Sequence, residues 1–202
     1  MIDVNVLNVI HAVESRDFDV FKSDTKPYNL NIVGIRSKAP VVNEFNDLMC
    51  VFWKYEGQWN MYKMQCTTLP GLKWLENPMN PKGCAILKEG QYKGVYKIDL
   101  HRGAYKALCQ RLGDVTVYRD NDKDREYDMV QGSEQTGMYG INLHRAHEDY
   151  ELEVVNGYSA GCQVVQDPDE YEVHMNVVAK AAEIWGNKFT YTLINEKDLY
   201  NG

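Results

Sequence analysis

Apolar residues in the first stretch of the chain recur at spacings of three and four: Val4, Val6, Leu7, Ile10 and Val13. That period predicts a short amphipathic helix inside an N-terminal extension over residues 1–27. From there to about Val165 the pattern changes to short β-branched and aromatic runs, among them "NLNIVGIR", "DLMCVFWKYE", "WNMYKMQCTT", "CAILK", "GVYKIDLH", "DVTVYRD" and "YGINLH". These read as strands. Glu56-Gly57-Gln58 lies between two aromatic-rich runs as a hairpin turn, and "LENPMNPKG" punctuates a longer loop. Helical spacing returns after "DPDE", where Asp167 or Asp169 would cap a helix carrying Val173, Val177, Val178, Ala181, Ala182, Ile184 and Trp185, with Gly186 as its stop. "FTYTLI" then returns as a strand. The expectation is an α+β, mostly β chain over 1–202. A β-rich sheet or barrel forms its body, with a short N-terminal helix and, over 166–202, a C-terminal helix plus strand.

Composition sharpens this picture in three places. The chain has 202 residues, room for one dominant core. With 29 acidic against 22 basic residues it carries a net charge of −7, which repels duplex nucleic acid and anionic membrane surfaces. No run approaches the roughly 20 apolar residues a bilayer-spanning helix requires. The start lacks a basic head and a continuous apolar stretch, so synthesis in a cytoplasm without a signal peptide is expected. Five cysteines, odd in number and without a CxxC pair, predict reduced thiols rather than a disulfide framework or a cysteine-rich zinc site.

The candidate chemistry lies in "GINLHRAHEDYELEVVNGYSAGCQVV", Gly140 to Val165. A thiol attacks a carbonyl as thiolate, and so requires a base and a site for the developing anion. Glycine before Cys162 allows a sharp turn that would aim the amides of Gly161 and Cys162 at one point, and His144 at a strand end is the available imidazole. On this reading the Cys162 pKa falls below that of an ordinary thiol, whereas Cys50, Cys66, Cys84 and Cys109, in apolar runs, are shifted upward by burial. The alternative is that Cys162 is simply a small buried side chain.

The phrases "YGINLH" and "YSAGCQV" resemble the active-site signature of the L,D-transpeptidase (YkuD-type) family, and other phrases such as "YKIDLHRG" and "INLHRA" resemble bacteriophage proteins. The resemblance implies a β-rich cysteine-enzyme fold acting on peptidoglycan stem peptides. It implies His144 as general base, Cys162 as nucleophile, Gly161 with Cys162 as oxyanion donors and Ser159 as the turn-shaping residue. Tyr139, Asn142, Arg145 and Gln163 would form the substrate side, Arg145 as a carboxylate ligand. Arg145 after the histidine, Ala160 before the glycine and Val164 two places after the cysteine depart from the family pattern. The implied activity is a phage-encoded, cofactor-free endopeptidase or L,D-carboxypeptidase at the cell wall, an endolysin, with transpeptidation as a variant. A virion or host-interaction protein keeping the motif as packing is the rival.

Other clusters point elsewhere. His144, His147 and His174 raise a zinc hydrolase, but HExxH is absent and strand-to-loop spacing does not converge the imidazoles, so no metal ligands are assigned. Asp120, Asp122 and Asp124 begin like a calcium loop, yet Arg125 and Gln131 occupy its glycine and glutamate positions. Trp53, Trp59, Tyr62 and Trp74 serve either strand packing or a ligand groove. "KIDLHRGAYKAL" echoes "GINLHRAHEDYEL", two strands each ending in a basic turn, without establishing a repeat.

Overall fold

The computed structural model describes residues 2–200. Helix α1 spans Val6–Glu14, and its first turn is closed by reciprocal bonds between Asn5 and Asn8. The strands follow: β1 Asn31–Arg36, β2 Asp47–Tyr55 and β3 Gln58–Thr67, then the one-turn helix α2 Leu72–Glu76. After these come β4 Cys84–Leu87, β5 Gly90–His101, β6 Tyr105–Gln110, β7 Val115–Asp120, β8 Gln135–Gly137, β9 Leu143–Arg145 and β10 Gln163–Val165. Helix α3, Pro168–Trp185, precedes β11, Phe189–Asn195, and a 3-10 turn over Glu196–Tyr200. Asp167 caps α3 and Gly186 ends it.

Eight strands close a barrel in the order β1-β11-β5-β6-β9-β10-β3-β2, and β4-β7-β8 form a separate three-stranded sheet. Two neighbouring pairs are parallel, β1 with β11 and β9 with β10. The mostly β architecture with a helix near each end agrees with the hydrophobic pattern. The pattern of "CAILK" and "DVTVYRD" matches strands too, though they belong to the smaller sheet.

Strand alternation explains where the cores sit. Ile32, Met49, Val51, Met64 and Leu193 face the barrel interior, joined there by Leu87, Val115 and Val117 of the small sheet and by Tyr171, Val178 and Ala181 of α3. Their strand neighbours Val33, Ile35, Cys50, Phe52 and Ile194 face outward onto Val9, Ile10 and Val13 of α1. Strand β1 is therefore buried along its whole length, covered on both faces. Trp53, Trp59 and Tyr62 pack against these cores, which settles three of the four aromatics as packing residues.

Candidate active site

The glycine turn and the histidine meet because β9 and β10 run side by side in parallel. Val164 pairs with His144 and Gln163 with Leu143, and Gln163 N–H donates to Asn142 O at 2.9 Å, which carries the register back to Cys162 opposite Asn142. Successive side chains alternate across a strand. Leu143 and Val165 therefore enter the barrel core. Cys162 and Val164 pack in a separate cluster with Ala146, on the outer face that Asn142 and His144 share.

Cys162 is the one cysteine that is not buried. Its Sγ lies 3.5 Å from Gly140 O and 3.5 Å from the Asn142 N–H. No hydrogen bond joins it to His144 among the described residues. Surrounding protein pushes the thiol up to about 11, an effect only partly offset by the Asn142 amide and the Arg102 charge. The expected depression of its pKa is thus reversed, because a buried imidazole supplies no positive charge. His144 is held down to about 3, chiefly by burial and then by His101. For the other four thiols the upward shift agrees with expectation: Cys50 and Cys84 reach about 12, and Cys66 and Cys109 are also raised.

His144 has a defined tautomer. Its Nδ1 lies 2.7 Å from Arg145 O, a group that can only accept, so Nδ1 carries the proton and Nε2 presents a lone pair. Tyr105 Oη stands 3.2 Å from the same Nδ1. The backbone carbonyl of Arg145 is therefore what orients the His144 ring. Its side chain has another use: the guanidinium bonds Glu148 at 3.0 Å and covers the Tyr105 ring at 4.4 Å. That occupancy argues against Arg145 as the carboxylate ligand.

Other expected residues divide between turn and scaffold. Ser159 shapes the turn as expected: Oγ donates to Cys162 O at 2.8 Å and accepts from Gly161 N at 3.2 Å. That second bond engages the Gly161 amide, so one of the two expected oxyanion donors is already occupied. Gly161 itself is required, with φ +116° and the Ala85 carbonyl where a Cβ would stand. Gln163 is fully buried, accepting from Tyr191 Oη at 2.8 Å, and so belongs to the core rather than to a substrate surface. Asn142 is buried, its Oδ1 accepting from Gln110 N at 2.9 Å and its Nδ2 donating to His101 Nδ1 at 3.0 Å. Tyr139 lines the cavity at Cys162 and lies under Arg119.

Three adjoining clefts form a groove over this face. The central one, about 320 Å³, holds Cys162 with His101, Arg102, Tyr139 and Tyr158. One of about 410 Å³ on one side contains His144, and one of about 240 Å³ on the other contains Trp74 and Arg119. Lys73, Arg102, Arg111, Arg119 and Arg145 line the three, and no carboxylate does among the described residues. Arg111 is paired with Asp99, whereas Arg102 forms no salt bridge or side-chain hydrogen bond among the described residues.

The competing clusters lie apart from this face. His147 stacks on Tyr150 and His174 bonds Tyr62 Oη at 2.8 Å, each apart from His144. Asp120 and Asp122 gather with Asp128 rather than Asp124, their oxygens within 4.8 Å of one another. Residues absent from the expectation are His101, Arg102 and Gln110; the echo of "IDLHRG" in "INLHRA" was the available signal for the first two. Comparison with protein-family models, with curated proteins and with solved structures finds no match.

Proposed function

We propose that the chain is a cysteine-dependent hydrolase of peptidoglycan stem peptides that works through an acyl-enzyme on Cys162. The observation that carries this reading is the partly exposed Cys162 and the tautomerically fixed imidazole on one outer face of adjacent strands, in neighbouring clefts that five cations line between them and a third cleft. The groove accounts for an acidic peptide despite the net charge of −7. The "GINLH" and "SAGC" resemblance narrows that peptide to a wall stem chain. Arg102, without a salt bridge among the described residues and beside Cys162 and His144, replaces Arg145 as the carboxylate ligand.

The raised thiol and the depressed imidazole both favour a neutral thiol and a neutral imidazole over a preformed thiolate–imidazolium pair. Proton removal is therefore coupled to attack. A substrate carbonyl displaces the Sγ–H from Gly140 O, His144 Nε2 takes the proton, and Sγ bonds the carbonyl carbon. Collapse breaks the C–N bond, and the departing amine takes the proton from His144. Water, deprotonated by the same Nε2, then resolves the thioester.

Mass spectrometry of purified muropeptides incubated with the protein tests the reading. Stem-peptide cleavage is expected, with Cys162→Ala and His144→Ala each reducing it at least about 10³-fold while the fold is kept, since the two residues act as one unit. Unchanged peptides across several stem chemistries, or activity that survives Cys162→Ala, overturn it. The second outcome would favour a binding or virion role for the scaffold.

A further inference from the structure

His101 ends β5 and pairs across the hairpin with Tyr105, and β6 leads on to β9, so the two echoing histidines are brought together on one face. Their rings stack at 4.1 Å between centroids with planes 26° apart. His101 alone among the imidazoles borders both the cavity holding Cys162 and the one holding His144.

The hydrogen bonds fix its proton. Gln110 N–H donates to Asn142 Oδ1, which places the Asn142 NH₂ toward His101. His101 Nδ1 must therefore accept, and Nε2 carries the hydrogen. The stacked pair is thus complementary: a lone pair at His144 Nε2 and a donor at His101 Nε2. Neither Nε2 has a hydrogen-bond partner among the described residues. Burial, with Arg102 and Arg111 beside it, keeps His101 neutral by holding its pKa down to about 4. A neutral imidazole can polarise a carbonyl without surrendering its proton.

We propose that His101 is a catalytic residue whose Nε2–H donates to the carbonyl oxygen of the scissile bond, taking the place of the Gly161 amide that Ser159 occupies. This rests on the acyl-enzyme reading of Cys162. As Sγ bonds the carbon, the C=O π pair moves onto oxygen, and His101 stabilises that anion by a hydrogen bond with no proton transferred. When the pair returns, the C–N bond breaks and the His144 proton leaves with the amine.

N-acetyl-alaninal, a small peptide aldehyde, tests this donor directly. Its addition to Cys162 gives a tetrahedral hemithioacetal whose oxygen occupies the same place, and no knowledge of the natural bond is needed. His101→Phe keeps a stacked ring without the donor and is expected to weaken aldehyde binding at least about tenfold, as loss of one such donor costs 10²–10³ in rate. Iodoacetamide alkylation of Cys162 should stay within about twofold, and His101→Gln, which restores an N–H, should recover part of the affinity. Equal aldehyde affinity in His101→Phe, or alkylation falling in parallel with it, overturns the role of His101 alone. Absence of a hemithioacetal in the unaltered protein overturns the acyl-enzyme reading and the donor with it.

Discussion

The reactivity of Cys162 depends on solvent access more than on charge. Cys162 is the partly exposed one of five cysteines, yet burial of its thiol pushes it up to about 11. Alkylation of Cys162 by iodoacetamide is therefore expected to outpace the other thiols and still to climb about tenfold per pH unit from 7 to 9, without a plateau. His144→Ala should leave this profile in place while abolishing turnover, because a neutral ring contributes no charge to the resting thiol and acts only when substrate arrives. Measuring the alkylation rate against pH in both proteins checks this; a plateau near neutrality, lost in His144→Ala, would mean that an ion pair exists after all. The "GINLH" and "SAGC" phrases drew attention to both residues, which lie on one outer face of adjacent strands. The direction of the thiol shift was not legible, since the sequence does not show that loops cover the strand face and strip the imidazole of its proton. Arg145 illustrates the same limit: its guanidinium drew attention, but the group that orients His144 is its main-chain carbonyl, which any residue would supply.

At the scale of elements, the site hangs on the segment between β8 and β9. Gln110, at the end of β6 and fully buried, accepts from the amides of Tyr139, Gly140 and Ile141 with one oxygen, at 3.1, 2.8 and 3.1 Å. Its Nε2 donates to Gly113 O and Gly137 O. One side chain thereby gives a strand-like set of partners to a stretch that belongs to no strand, and it aims Gly140 O and the Asn142 N–H at Cys162 Sγ. Gln110→Ala is expected to cost about 3 kcal/mol, of the order of one or two buried groups left unsatisfied. Urea unfolding measures that loss. Hydrogen exchange should speed up most at residues 139–142, with α3 changing only as far as global stability does. Uniform acceleration across the chain would show that Gln110 is no more than a core residue. The long elements were legible because their periods run for two turns or more, as in α1, α3 and the β2–β3 hairpin. Helix α2 and strands β8 and β10, with five, three and three residues, are shorter than the window in which a period can be recognised. Barrel closure was equally out of reach. It depends on the pairing of β1 with β11 and on the single contact pair Leu108–Leu143 between β6 and β9, both set by tertiary packing rather than local pattern.

For the whole molecule, the arrangement of barrel and covering elements has a consequence in acid. Three of the five histidines are buried between the barrel and what lies on it: His101 and His144 under the groove loops, and His174 between α3 and β3, where its Nε2 has no partner. Burial is the leading cause in each, and their values fall to about 4, 3 and 4. In the unfolded chain these rings titrate near 6.5, so from there down to their folded values the unfolded state binds more protons and stability falls with pH. Below the folded values both states are protonated and the slope ends. His174 alone accounts for a loss of about 3 kcal/mol over that window. Asp120, raised to about 6 mainly by burial, and Asp47, raised by burial, act in the opposite sense, since the folded state holds their protons longer. Asp120 offsets about one histidine and Asp47 works in the same direction, so what remains is less than the sum of the two rings at the site. The urea midpoint is therefore expected to drop between pH 6.5 and 4.5, and His174→Phe should flatten the slope. Because the charged rings sit between barrel and cover, the first structure lost in acid should be the cover. Near-UV dichroism should then change and a hydrophobic dye should bind while the far-UV strand signal persists. A midpoint that stays level from pH 6.5 to 4.5, with no change of slope in His174→Phe, would mean that water reaches these rings in the folded protein, and with it would go the neutral pair that the proposed proton transfer at Cys162 requires.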